Sequence, residues 1–198
     1  MKIYTITGCG GIGKDSILNK LLELDKDLTG IVSVTSRPPR EGEIEGINYY
    51  FKTKDEVINM LNAHDFIEHR TYNVITDKGQ DIWVYGISKQ SIKLESDYKY
   101  VVIVDYQGLK ELKHYLKEND CEDSLISFYI DGSYQTRLQR YLSRENMTDN
   151  MVKEAIRRFN DDNKNVLPAR EFCDYIINNE GKLENSVARI LDIIESEG

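Results

Sequence analysis

The chain has 198 residues, enough for one domain with a buried core and small appended lobes. Its 26 Lys and Arg against 34 Asp and Glu leave a net charge of -8, which sets the surface against polyanions. That balance argues against a nucleic-acid polymer or an anionic membrane as the main partner, whereas a single nucleotide needs only a local basic pocket.

Cys9, Cys121 and Cys173 lie far apart without C-x-x-C spacing, and His64, His69 and His114 form no metal-spaced cluster. This usage fits a reducing compartment and neither a disulfide frame nor a zinc site. No apolar run is long enough for a signal or a membrane span, so a cytoplasmic protein is expected.

Residues 2–7 (K-I-Y-T-I-T) alternate apolar and polar side chains with β-branched content, the pattern of a short strand. Gly8, Cys9, Gly10, Gly11, Ile12, Gly13 and Lys14 follow as G-x-x-x-x-G-K, and Ile17, Leu18, Leu21, Leu22 and Leu24 then recur at helical spacing. A glycine loop between strand and helix, closed by lysine, reads as a phosphate-binding P-loop. Its N–H groups curl around phosphate oxygens, the helix N-terminus adds partial positive charge, and Lys14 is expected to reach the β- and γ-phosphates. Cys9 reads as a small filler of this loop. Asp15 stands where Ser or Thr usually follows the lysine, and Ser16 comes next. A carboxylate ~5 Å from a phosphate charge costs about 3 kcal/mol at an effective dielectric of about 20. Asp15 is therefore expected to point away, cap its helix or contact a metal, with Ser16 taking the hydroxyl role toward magnesium.

Residues 35–51 (T-S-R-P-P-R-E-G-E-I-E-G-I-N-Y-Y-F) hold Arg37 and Arg40 around a Pro-Pro pair. Proline fixes its own φ and extends the residue before it, so two guanidinium forks sit on a stiff loop, suited to bidentate capture of phosphate. Two phosphate grips in one chain suggest phosphoryl transfer between two nucleotides. Short aromatic pieces at 48–51, 65–71 and 82–85, one helix near 54–62 and a polar turn at 76–81 read as an inserted antiparallel lobe, not a second domain. Residues 101–104 form a β-branched run ending at Asp105, placed as a Walker B acid at a strand's carboxyl end, facing the ligand crevice. Apolar runs at 125–130 and 175–177 alternate with helical patterns near 107–118, 133–143, 151–163 and 182–195. Together they predict an α/β, three-layer P-loop fold around a parallel sheet. Its core comprises residues 1–32 and 86–198, its lobe 33–85 and its lid 137–158.

Asp105-Tyr-Gln-Gly108 also spells the D-x-x-G of a GTPase switch, but residues 163–166 (N-K-N-V) lack the aspartate of the guanine-reading N-K-x-D. Arg137, Arg140 and Arg144 share a helix face, and Arg157 and Arg158 lie across the polar stretch 143–150 (S-R-E-N-M-T-D-N). A solvated charged face is the plain reading of any one of them. Five arginines astride a polar hinge are expected to close over a transferring phosphate.

These motifs resemble the guanylate kinase family along nearly the whole chain, most densely in the first half. The P-loop, residues 33–51, Phe66-Ile-Glu68, Tyr85-Gly86, Asp105-Tyr-Gln-Gly108 and Asn179 carry the resemblance. It implies ATP-dependent phosphorylation of GMP or dGMP with magnesium, by a monomer or homodimer. By the same likeness Arg37, Arg40, Tyr49 and Tyr85 hold the GMP phosphate, and Ser33, Glu68 and Asp105 read guanine. Arg140, Arg144 and Arg158 clamp the transferring group, with Arg157 a rival to Arg158, and Asn179 lies near the adenine of ATP. For Glu68 the chemistry agrees, since an ionised carboxylate accepts from N1–H and N2–H₂ of guanine side by side. Four features depart from the family pattern. Ile87 replaces the hydroxyl residue after Tyr-Gly, and Ile103 replaces an acid before Asp105. The stretch between Tyr72 and Trp83 is long, and the lid begins R-E-N-M. Two other classes compete, a kinase for another nucleotide or phosphorylated acceptor and a non-catalytic interaction module. The donor-site lysine argues against the second.

Overall fold

The computed structural model describes residues 1–40, 42–76, 79–143, 152, 156–157, 159–162 and 166–197. In chain order the core begins with β1 (Lys2–Gly8), α1 (Lys14–Leu24) and β2 (Leu28–Gly30). The lobe follows as β3 (Val34–Thr35), β4 (Tyr50–Phe51), α2 (Lys54–Asn62), β5 (Phe66–Thr76) and β6 (Gly79–Ser88). The core resumes with β7 (Lys99–Ile103), α3 (Tyr106–Glu118), β8 (Leu125–Asp131), α4 (Tyr134–Leu142), β9 (Tyr175–Asn178) and α5 (Leu183–Glu197).

The central sheet has the order β2-β7-β1-β8-β9, with every neighbouring pair parallel. Parallel sheets need both faces covered. Tyr4, Ile6, Val101, Phe128 and Ile130 pack on one face with Ile17 and Leu21 of α1 and Val187, Ile190 and Ile194 of α5. Ile3, Val102 and Val104 pack on the other with Leu109, Leu112 and Leu116 of α3. Each of those helices turns a stripe of three- and four-residue spacing to the sheet. Thr5 and Thr7, the polar members of the β1 alternation, are buried too, and the Thr7 hydroxyl donates to the Val104 carbonyl at 3.1 Å.

The lobe is a four-stranded sheet in the order β4-β3-β6-β5. It is not wholly antiparallel as expected, because β3 and β4 pair in parallel through Val34–Tyr50 and Thr35–Phe51. The aromatic pieces at 65–71 and 82–85 are the proximal halves of a longer hairpin, paired from Phe66–Ser88 out to Thr76–Gly79. The 72–83 insertion is thus the distal half of that hairpin. The polar turn expected at 76–81 falls at the far end of this hairpin, where β5 ends at Thr76 and β6 begins at Gly79. A capping box between Thr53 and Glu56 starts α2. The lid stretch 144–150, with Arg144, and also Arg158, lie outside the described residues.

Candidate active site

The P-loop bends where Gly11 and Gly13 take φ of 80° and 99°, left-handed backbone that favours glycine, and Gly13 caps α1. Lys14 folds back over the loop, its ammonium donating to the Gly8 carbonyl at 2.7 Å and the Cys9 carbonyl at 3.1 Å. Burial pulls its pKa down, and the neighbouring Asp15 carboxylate works in the opposite direction. Asp15 and Ser16 are both exposed in the first turn of α1, the acid placed favourably for the helix dipole. Cys9 is buried with its Sγ 3.5 Å from the Tyr129 hydroxyl, and burial pushes the thiol up, which suits packing and not reactivity.

Arg140 and Asn179 brace the loop from the side. Arg140 donates from Nη1 to the Ile12 carbonyl and from Nη2 to the Asn179 carbonyl, both at 2.7 Å. Asn179 is 2% exposed, donates to the Ile12 carbonyl at 2.8 Å and accepts from the Ser186 hydroxyl at 2.8 Å. Its side chain thus ties the loop to Ser186 of α5.

Arg137 departs from the clamp expected of it. It is 2% exposed, ion-paired to Asp162, and lies 4.2 Å over the Phe159 ring. Its Nε donates to the Gly10 carbonyl at 2.9 Å, while the Gly10 N–H donates to Asp162 at 2.9 Å. One buried ion pair thus holds both backbone polar groups of a P-loop residue. Arg157 is exposed and paired with Asp161 within its own helix. Tyr141 completes the wall. A Cβ built on Gly11 would stand 2.7 Å from the Tyr141 ring and 3.0 Å from the Arg137 carbonyl. Gly11→Ala is expected to cost about 2 kcal/mol or more, from left-handed strain plus this clash, read as a lowered urea midpoint.

On the lobe, Arg37 is 3% exposed and fixed on every side. Its Nε donates to the Tyr85 hydroxyl at 3.1 Å, and its fork grips Glu43 at 2.8 and 2.9 Å. That pairing holds the Glu43 carboxyl below the usual carboxylate range. Tyr49 packs edge-on to Tyr85, with the Arg37 guanidinium 5.5 Å from its ring. Arg40 is exposed, its N–H donating to Glu43 at 2.7 Å. Ser33 is half-buried beside β3, its carbonyl accepting from the Tyr50 N–H at 2.9 Å. The Tyr49 hydroxyl is pushed up first by burial, with Tyr85 and the P-loop residue Asp15 adding to it.

Where β5 passes α3, four charged residues meet. Arg70 Nε donates to Asp105 at 3.1 and 3.2 Å, its Nη2 reaches Asp105 at 3.1 Å and Glu68 at 3.7 Å, and its Nη1 reaches Glu111 at 3.1 Å. Asp105 also caps α3, accepting from the Gly108 N–H at 2.7 Å. A Cβ on Gly108 would lie 3.1 Å from Glu68 and 3.3 Å from both Arg70 and Asp105. Glycine there lets the cluster settle on the first turn of α3. The Glu68 side chain is 11% exposed, and burial raises its carboxyl to about 7, with Asp105 and Glu111 adding to the rise and Arg70 opposing it.

The family model described as guanylate kinase matches residues 1–197. The chain belongs to the guanylate kinase family. A guanylate kinase of Rickettsia felis is 31% identical over 197 residues, covering 98% of this chain and 93% of the relative. "Guanylate kinase 2, chloroplastic/mitochondrial" of rice (Oryza sativa subsp. japonica) is 29% identical over 98% of this chain, which spans 64% of that relative's length. In fold, the chain is similar to a crystal structure of guanylate kinase from Anaplasma phagocytophilum. The TM-score is 0.65 with 24% identity, covering 99% of this chain and 85% of that one. Guanylate kinases are nucleoside monophosphate kinases, and membership sets aside the GTPase reading of Asp105-Tyr-Gln-Gly108.

Among the residues of this guanylate kinase site that the sequence motifs do not single out are Arg70, Asp162 and Tyr141. Arg70 carried a usable signal, since it follows Glu68 by two on one strand and so shares its face. Asp162 lies 25 residues from Arg137, and only the packing of two helical stretches unites them.

Proposed function

We propose that this chain transfers the γ-phosphoryl group of ATP to the phosphate of GMP or dGMP, yielding ADP and GDP or dGDP. The observation that carries the reading is Glu68, a nearly buried carboxyl set beside Asp105 at the lobe–core boundary, apart from the Arg37–Tyr85 grip. As an anion, Glu68 accepts from N1–H and N2–H₂ of guanine together, a pair that adenine lacks. Arg37, Arg40, Tyr49 and Tyr85 orient the acceptor phosphate, and Ser33 and Asp105 complete the base pocket. Gly8 to Lys14 cradle the phosphates of ATP, with Arg140 and Asn179 holding the loop in shape. Lys14 exchanges its own loop carbonyls for phosphate oxygens when ATP enters. Arg144 and Arg158 are assigned to the closing clamp.

The exposed carboxylate of Asp15 and hydroxyl of Ser16 are oxygen donors beside the phosphate cradle. They suit magnesium, which takes one or two protein oxygens alongside water and phosphate. An ion held there would supply charge neutralisation for the phosphates of ATP. The remaining chemistry is positioning by the chain's own residues. In-line placement of the two phosphates and exclusion of water from the closed site are what the lobe and P-loop contribute. Among the described residues no helix is long and apolar enough to cross a membrane.

A coupled ADP-release assay with GMP, dGMP, AMP, UMP and CMP tests this. Turnover is expected on GMP and dGMP, with Glu68→Ala losing roughly 100-fold in kcat/KM or more. Turnover on another base instead discards the guanine assignment and keeps the kinase. Binding of GMP without any turnover marks an interaction module.

A further inference from the structure

The base corner holds a residue that neither the motifs nor the family resemblance assigned. Arg70 lies on β5, two residues after Glu68, and its guanidinium is four-fifths buried among three acids. It forks Asp105, reaches Glu111 and the His69 carbonyl through Nη1, and lies 3.7 Å from Glu68. Glu111 is held in turn by the Gln107 amide at 3.0 Å. The two acids assigned to base reading thus share one cation, supplied from the lobe and anchored on α3 of the core.

We propose that Arg70 is a specificity-determining positioning residue: it holds the Glu68 and Asp105 carboxylates side by side at the base and favours the ionised form of Glu68, so that the pocket accepts a purine with donors at both N1 and the 2-amino position. This rests on the nucleotide-kinase reading above.

Three carboxylates gathered in a half-buried corner repel one another, and one of them tends to keep its proton. The groups facing Glu68 are Arg70 on its own strand, Asp105 and Glu111 at α3, the Tyr72 hydroxyl, and the Ile87 backbone N–H on β6. Arg70 is the cation among them, and burial has already raised Glu68 to about 7. The state of that proton decides which base fits. A carboxylate offers two acceptors and suits the two donors of guanine, whereas a protonated carboxyl offers one acceptor and one donor and suits an adenine, whose N1 accepts. Ile87 sharpens the dependence. It stands where a family hydroxyl is usual, and it is 1% exposed within the apolar cluster of Ile67, Val104 and Leu109, so it brings no side-chain donor to the base.

The test compares wild type with Arg70→Leu and Arg70→Lys, with two readouts. The first is the carbon-13 titration of glutamate carboxyls in the ligand-free protein, the Glu68 signal being assigned by Glu68→Gln. Its midpoint is expected near 7 in wild type, about one to two pH units higher in Arg70→Leu, and close to wild type in Arg70→Lys. The second is the ratio of kcat/KM for GMP over AMP, in which the titration of the acceptor phosphate cancels. If Glu68 is half ionised at pH 7, that shift leaves about 1–10% anion. The ratio is then expected to fall roughly 5- to 50-fold in Arg70→Leu and to recover as pH rises past the new midpoint. An unmoved midpoint overturns the proposal. So does an equal loss on both substrates at every pH, which would make Arg70 a strap between lobe and core. A wild-type enzyme with no preference for GMP over AMP overturns the guanine reading itself, whereas a preference that survives Arg70→Leu overturns only the role of Arg70.

Discussion

Lys14→Met is expected to lower kcat on GMP by about 1,000-fold while leaving the free energy of unfolding within about 1 kcal/mol of wild type. The two halves of this result have separate causes. Negative charge spreads over the transferring phosphoryl group in the transition state, and a preorganised cation aimed at it contributes most when water is excluded. Without ligand the Lys14 ammonium satisfies itself on the Gly8 and Cys9 carbonyls, at 2.7 and 3.1 Å. Burial pulls its pKa down, so the folded chain carries this cation at a cost. Removing a charge that burial disfavours offsets the two lost hydrogen bonds, and methionine keeps the stem's packing. Pre-steady-state quench-flow separates phosphoryl transfer from product release, and equilibrium unfolding gives the stability. Full activity in Lys14→Met would remove the lysine from the chemistry.

Arg137→Ala is expected to be the most destabilising single change at the site, at about 3–5 kcal/mol. Arg137 and Asp162 are both buried, and truncating the arginine leaves Asp162 as an unpaired charge and the Gly10 carbonyl without its donor. The guanidinium also leaves its seat against Phe159. A double replacement, Arg137→Leu with Asp162→Ala, removes both charges at once and should regain most of that loss, because a buried ion pair is worth little against apolar side chains of similar bulk. Function should not recover with it. In the double variant neither backbone polar group of Gly10 is held, so the KM for ATP should stay several-fold raised while the thermal midpoint returns toward wild type. If Arg137→Ala alone is neutral in urea, the pair does not brace the loop in solution.

The parts of this site that were legible in the sequence are those whose chemistry is local. Gly11, Gly13 and Lys14 announce a P-loop because the bend, the helix start and the cation all fall within seven residues. Arg37 and Arg40 announce an anion grip because Pro38 and Pro39 stiffen the chain that carries them. The arginine row of α4 was legible only as a row. Arg137 points into the protein and Arg140 onto the P-loop, a division that charge and helical spacing cannot reveal. The turn of the lobe hairpin was legible as the polar stretch at 76–81, but the distal strands that flank it were not, because they are held by partners on the facing strand.

By itself, the sequence determined the P-loop, the parallel α/β core and the presence of a second phosphate grip, since each rests on side chains and backbone preferences only a few residues apart. The tertiary structure alone decided which charges are spent and which are offered. Arg137 meets Asp162 across 25 residues, Asn179 meets Ile12 across 167, and Arg70 meets Asp105 across 35. Such pairs form where packed elements exclude water, and the free energy of a charge depends on that exclusion far more than on its place along the chain.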